Sequence, residues 1–344
     1  MVIAVIGILV GTLMPVLQMA RESSRRSSCA NNLRQIYFAV TNYSDARLHL
    51  PGWRNSIKTY SNVKALTSRA DAAVSWTVMI LPQLEEPAVY QWYTMYESGS
   101  SGAAPPDLRI KTFRCPSQTE VDTPTPLSYA VNAGSGGEVV NELVSPATQY
   151  TADGVFLDAV GNVPSDPLFD STRRVYAAAR VTLKNAVPDG ANATVMLSER
   201  SGSAVPQDIS WAMNPRVARE NRGALSRNHG ILQPLPIGSG ARTLIKVINP
   251  EADSRPLPSP VPANANLDDW NVRYPSSKHP GAVNAAFCDG HVRVLRDGLD
   301  AWVYCQILSA AGSAASAGVR DWQQAFNDAG VLVPYEFKPA DLVR

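Results

Sequence analysis

An α+β fold is predicted, in which a long N-terminal helix packs on an antiparallel β-rich globular domain. Three observations predict it. The first fifty residues open with an uncharged run, MVIAVIGILVGTLMPVL, which passes without a break into a segment whose apolar residues recur at helical spacing. Beyond it, short apolar runs bounded by Gly, Pro, Asn and Asp have the pattern of strands. Near the end, Asp289-Gly290 separates two such runs, a strong short-range signal for a hairpin.

In the helix, Ala30, Leu33, Ile36, Tyr37, Val40 and Tyr43 follow one another at steps of three or four and so share a face. Arg21, Arg25, Arg26 and Arg34 can point away from it, and Pro51-Gly52 closes the segment. Pro15 removes one intrahelical hydrogen bond and predicts a kink. The uncharged run, with Val2, Ile3, Val5, Ile6, Ile8, Leu9, Val10, Leu13, Pro15 and Leu17, is expected to be a membrane anchor. It covers about 26 Å at about 1.5 Å per residue, slightly short of a hydrocarbon core. The competing reading is a secretory signal peptide, cut after Ala20, but no basic start precedes Arg21. Residues 1–47 are therefore expected to form the anchor and helix, and residues 48–344 a globular domain outside the cytoplasm.

In the globular part, residues 50–74 read as loop with short elements. The aromatic segment 75–96, broken by Pro82 and Pro87, reads as one or two short helices. Strands are expected at Leu108–Arg114, Leu127–Asn132, Gly154–Val160, Thr194–Ser198 and Thr243–Ile248. Residues 201–241 carry little pattern, and the proline-rich segment that follows the last of these strands reads as a surface strap. Val283–Cys288 and His291–Leu295 form the arms of the predicted hairpin. Helices are then expected at Leu299–Ala311 and Arg320–Ala329, with Trp302, Cys305, Ile307 and Leu308 placing the first of them on the hairpin.

The formal net charge of +1 provides no field to attract nucleic acid, which is not expected as a partner. The cysteines, Cys29, Cys115, Cys288 and Cys305, form no C-x-x-C pair, so their spacing does not predict a zinc site. Outside the cytoplasm an even number permits disulfides, and four buried thiols are the alternative. No H-E-x-x-H, G-x-S-x-G, Walker A or dinucleotide fingerprint occurs. Ser61-Asn62-Val63-Lys64 matches S-x-x-K without its companion motifs, and Asp268-Asp269 lacks the spacing of a calcium loop. No catalytic residue, metal ligand or cofactor is expected, and the chain is not expected to be an enzyme.

The opening string VIAVIGILVGTLMPVLQMARESSRRSSCANNLRQI resembles the start of bacterial pilin-like proteins that carry a prepilin-type cleavage and methylation segment. The subfamily that it is similar to also carries a C-terminal H-x9-DG motif, matched here by His279, Asp289 and Gly290. Phrases between the two termini agree: WTVMILPQLEEPAVY, FRCPS, SYAVNAG, DGVF and VPDGANATVMLSER. Family members have a basic leader and a processing glycine before the apolar run, and neither precedes Val2. The resemblance thus expects a start upstream of Met1. Cys29 and Cys115 lie in two of the family-like phrases, which implies that they pair as a disulfide.

The resemblance implies a structural subunit in the cytoplasmic membrane, assembling with other pilin-like subunits through the N-terminal helix into a pilus-like or secretion-linked fibre. The alternative is a tethered binding module outside the cytoplasm for envelope glycans or other ligands, using aromatics such as Trp53 or Trp211. A third possibility, a surface hydrolase, requires a cleft with perturbed carboxylates or histidines. With residues 283–288 extended, His279 and Asp289 are expected on the order of 15–30 Å apart, so the motif reads as structural rather than as one metal site.

Overall fold

The computed structural model describes residues 2–57, 72–95, 109–118, 125–134, 154–156, 159, 182–183, 187–200, 230–232, 248, 274–299 and 301–309. Helix α1, Val2–Arg47, runs past Pro15 as a single helix. A two-stranded antiparallel ribbon follows, β1 (Arg54–Ile57) with β2 (Ala72–Ser75), and leads into α2 (Trp76–Met79). The Ser75 side chain caps α2 by accepting from the Thr77 backbone N–H. A 3₁₀ turn at Leu81–Leu84 and helix α3, Pro87–Met95, complete the aromatic segment, with prolines in first-turn positions where their missing N–H costs nothing.

The main sheet has five strands in the order β5-β3-β4-β6-β7: β3 is Tyr129–Gly134, β4 Val195–Glu199, β5 Gly230–Leu232, β6 Ala282–Phe287 and β7 Val292–Arg296. Every pairing is antiparallel except that of β3 with β5. Helix α4, Ala301–Leu308, follows β7. The architecture is therefore α+β, a long N-terminal helix packed against an antiparallel β-rich domain.

Alternation along β3 and β6 divides the sheet between two cores, and on β4 a shift of register between Val195 and Leu197 sends these two residues to opposite sides. Tyr129, Val131 and Ala133 of β3, Leu197 of β4, and Ala286 with Cys288 pack in the cluster that holds α1. Ala130, Val195, Val283, Ala285 and Phe287 pack in the other, with Tyr304, Ile307 and Leu308 of α4. The helix contributes Cys29, Leu33, Ile36, Val40 and Tyr43, all buried at steps of four and three, so the predicted stripe is the packing face. Ala30 and Tyr37 sit at its edge, half-buried.

Several expectations are corrected. Among the described residues no helix is long and apolar enough to cross a membrane. The expected anchor through Val2, Ile3, Val5, Ile6, Ile8, Leu9, Val10, Leu13, Pro15 and Leu17 is overturned on that ground, and with it the single-pass location and the membrane as a partner. The run is short at about 26 Å against a core of about 30 Å. Gly7, Gly11, Thr12 and Pro15 dilute it, and charges begin at Arg21. Leu108–Arg114 is no strand where it is described; Lys111–Phe113 is a 3₁₀ turn. Gly154, Val155 and Phe156 lie outside any strand, and the N–H groups of Val155 and Phe156 both donate to the Asn132 carbonyl. A Cβ on Gly154 would fall 2.4 Å from the Gly134 nitrogen, so this close pass admits only glycine. Strand β5 lies in a segment without sequence pattern. Of Thr243–Ile248 only the buried Ile248 is described, and Arg320–Ala329 lies outside the described residues, as do the side chains of Trp302 and Cys305.

The β6–β7 hairpin turns at Asp289-Gly290, where Gly290 has φ +89° and donates to the Phe287 carbonyl. Its bare Cα faces the Tyr37 ring: an added Cβ would lie 2.6 Å from Tyr37 Cε1. Gly290→Ala must strain both the backbone and this contact. We expect a loss of about 1–3 kcal/mol in urea unfolding, and a loss under about 0.5 kcal/mol would refute this account of the glycine.

Candidate functional site

Four polar residues enter the α1-facing core from separate elements. Glu199 ends β4 on the same face as Leu197, and Asn284 lies on β6 on the same face as Ala286. His279 precedes β6, and Glu22 comes from α1. Glu199 is fully buried, and His279 and Asn284 are 2 % exposed. The Glu22 side chain keeps 26 % of its surface. A buried carboxylate is tolerated only when its lone pairs are filled, and those of Glu199 are. Oε2 accepts from the Asn284 backbone N–H at 2.8 Å, and Oε1 from Asn284 Nδ2 at 2.7 Å. His279 Nε2 lies 3.3 Å from the same Oε1.

The other ring nitrogen of His279, Nδ1, lies 2.5 Å from Glu22 Oε1. Both nitrogens thus face carboxylate oxygens, which favours the doubly protonated ring. The Ser277 hydroxyl accepts from the His279 N–H and fixes the backbone at that point. Neighbouring contacts tie the helix down: Arg26 donates to the Pro280 carbonyl, and Asn284 Nδ2 to the Arg26 carbonyl.

Beside this ion cluster lies the Cys29–Cys115 disulfide, with 5.2 Å between the Cα atoms. It is the pair that the resemblance implies. Both cysteines are fully buried, and Cys115 Sγ is 3.5 Å from His279 Nε2. Cys288 is a separate buried thiol, its pKa raised by burial and then by the nearby Asp289.

Electrostatics follow from this geometry. Burial by itself lowers the His279 pKa, but hydrogen bonds and charge from Glu199 and then Glu22 outweigh it and raise the value above the ordinary 6.5. For Glu22, burial would raise the pKa, and hydrogen bonds from His279 and Ser117, with the charges of His279 and Arg25, bring it below 4.5. His279 therefore stabilises the fold most below the unfolded-state value of about 6.5, and this contribution is lost as pH rises through its raised folded value. Glu22 contributes above about 4.5, and its share is lost as pH falls through its lowered folded value. We expect melting temperature to form a plateau between these limits and to fall on either side. In His279→Gln the alkaline fall should flatten, and an unchanged alkaline limb would refute the assignment.

The cluster contains the ingredients of a serine hydrolase, but their hydrogen bonds run elsewhere. Ser117 Oγ donates to Glu22 at 3.0 Å, and His279 Nδ1, 3.4 Å from that oxygen, is taken by Glu22. The serine consequently has no free base beside it. Of the other groups, Glu199 and His279 can hold a proton; one atom from each of Cys29, Cys115, Glu199 and His279 lies within 4.8 Å of all the others, with the two sulfurs joined to each other as the disulfide.

The H-x9-DG residues do not meet. His279 contacts α1 at Glu22, while Gly290 contacts it at Tyr37, fifteen residues and about 22 Å further along the helix. Tyr37 also donates to the Cys288 carbonyl, and Asp289 pairs with His291 at the turn. The motif thus fastens both ends of one strand to one helix. Sequence reasoning missed Glu22, Glu199 and Asn284 as partners of His279. The one available signal was a glutamate at the end of the strand VMLSE, which opens on three apolar residues. Of the aromatics expected to meet a ligand, Trp53 is fully buried and Trp211 lies outside the described residues.

These features define a disulfide-stapled α+β domain with a largely buried charged cluster where the sheet meets α1. A family model matches residues 18–301, and the chain belongs to that family, SBP_bac_10, described as "Protein of unknown function (DUF1559)". No curated protein and no solved structure matches the chain. The match begins after the apolar run and carries no pilin assignment. The expected identity as a pilin-like subunit, with other such subunits as partners through the helix, is corrected accordingly.

Proposed function

We propose that this chain is a non-catalytic binding module that works outside the cytoplasm and takes envelope glycans or similarly polar ligands. The observation that carries the reading is the fully buried Cys29–Cys115 disulfide, which joins α1 to the globular body. Such bridges persist in oxidising compartments, and this one makes the domain a rigid platform. The burial of His279, Glu199 and both sulfurs supports a non-catalytic role: of this cluster's carboxylates only Glu22 reaches solvent, and it is already engaged by His279 and Ser117.

The ligand surface best supported lies where α1 meets the hairpin turn. Phe38 is 60 % exposed and stands edge-on to Tyr37, whose ring packs on Gly290. Asp289 and His291 pair at the turn against which Tyr37 packs, both partly exposed. An exposed aromatic ring, joined through Tyr37 to a turn that carries a carboxylate and an imidazole, offers apolar stacking together with hydrogen bonds, the combination that fixes a sugar ring.

The test is a thermal shift of the full chain with soluble peptidoglycan fragments and with neutral glucan oligosaccharides. A glycan at a hundred times its Kd should stabilise by about 2.7 kcal/mol. Phe38→Ala should abolish the shift and leave the free protein's melting unchanged. Absence of a shift with every glycan at millimolar concentration would overturn the reading.

A further inference from the structure

We propose that, once the Cys29–Cys115 bridge is reduced, Cys29, Cys115, Glu199 and His279 form a closed four-ligand site for zinc. This goes beyond the binding role and does not depend on it. The residues come from four distant parts of the chain and present two sulfurs, one imidazole nitrogen and one carboxylate oxygen within 4.8 Å of one another. Zinc–ligand bonds of about 2.0–2.3 Å place tetrahedral donors about 3.3–3.8 Å apart. His279 Nε2 already stands 3.5 Å from Cys115 Sγ and 3.3 Å from Glu199 Oε1. The remaining donor pairs lie within 4.8 Å, so opening the sulfur–sulfur bond and drawing in the donors that stand furthest apart, by at most about 1 Å, completes the tetrahedron.

The surroundings are those of a metal site. A zinc-bound histidine commonly gives its second N–H to a carboxylate, which fixes the ring and strengthens the ligand. Here Glu22 receives Nδ1–H and leaves Nε2 directed at the sulfur. Glu199 is likewise oriented, by the two bonds from Asn284. All four ligands are buried, as in structural zinc sites, where no coordination position is left open.

The chemistry balances with a dithiol as reductant. Its sulfurs join as a disulfide, two electrons pass to Cys29 and Cys115, and each cysteine takes up a proton. Zinc then displaces both thiol protons and the Nε2 proton of His279, while Nδ1–H stays on Glu22. Disulfide and zinc are alternative ways of fastening α1 to the body, and because the site is closed, metal enters as the reduced chain folds.

To test this, the full chain is unfolded, reduced with a phosphine, which ends as its oxide with oxygen from water, and refolded without air, with zinc or with a chelator. About one zinc per chain should survive gel filtration, and refolding should be favoured by the metal. Cobalt in place of zinc should give a thiolate-to-cobalt charge-transfer band. The band should be lost in the double variant Cys29→Ser, Cys115→Ser and kept in Cys288→Ser, Cys305→Ser. Failure of the reduced wild-type chain to retain zinc, whether it folds or not, would overturn the proposal. So would a cobalt band that depends on Cys288 or Cys305.

Discussion

Glu199→Ala is expected to cost about 3–5 kcal/mol of folding stability, the usual cost of breaking a buried ion pair from one side. The carboxylate accepts from the Asn284 backbone, from the Asn284 side chain and from His279, and none of these donors has solvent within reach. Without it the Asn284 donors are orphaned, at about 1–3 kcal/mol for each unsatisfied group, and His279 keeps Glu22 as its remaining carboxylate. Glu199→Gln keeps the shape but supplies one acceptor oxygen where three donors converge, so it too should be clearly destabilised. Glu22 makes a comparably close contact with the same ring, yet its side chain is 26 % exposed, so water can replace part of what Glu22→Ala removes. The informative result is this asymmetry. Denaturant unfolding should place Glu199→Ala well below Glu22→Ala, and equal losses, or a Glu199→Ala loss within about 1 kcal/mol of wild type, would show that the cluster is not what fastens the strand to the helix.

The parts of the fold that local chemistry determines are legible in the sequence. The α1 stripe follows from helical periodicity, and Leu33, Ile36, Val40 and Tyr43 are indeed its buried residues. The hairpin follows from Asp-Gly between two apolar arms, and β6 pairs with β7 from Ala282 with Arg296 to Ala286 with Val292. What local pattern cannot supply is long-range partnership. Glu22, Glu199 and His279 sit on three elements far apart in sequence, and each read alone is a charged or polar residue of ordinary appearance. Glu199 lies one residue past the strand expected at Thr194–Ser198, and it enters the core because β6 lies alongside and Asn284 satisfies it. The departure at Lys111–Phe113 has a similar cause: Leu108–Arg114 alternates apolar and polar residues in part, but the 3₁₀ turn lets Phe113 accept from Ser128 through its carbonyl and bury its ring against Trp76. The apolar run before Leu17 has the composition of an anchor but not the length, since a stretch of about 26 Å with two glycines and a proline in it is a poor span.

Replacing Cys29 and Cys115 together by serine should lower stability by a similar amount, for a different reason. The bridge closes a loop across a sequence separation of 86. On the chain-entropy account a loop of this size contributes about 4.5 kcal/mol by restricting the unfolded chain, within the range of about 2–5 kcal/mol typical of native bridges. The folded state also loses, since two hydroxyls would occupy a fully buried site made for sulfur, next to His279. The same change to alanine avoids the second effect, so the difference between the serine and alanine pairs measures the burial of the hydroxyls, and the alanine pair alone approximates the loss of the cross-link. We expect the alanine pair to unfold at lower denaturant and, because the unfolded chain is no longer held together, with a larger m-value. An unchanged m-value with a lowered midpoint would place the effect of the disulfide in the folded state, where its role would be to position Cys115 and the following Ser117 against His279 rather than to restrict the unfolded chain.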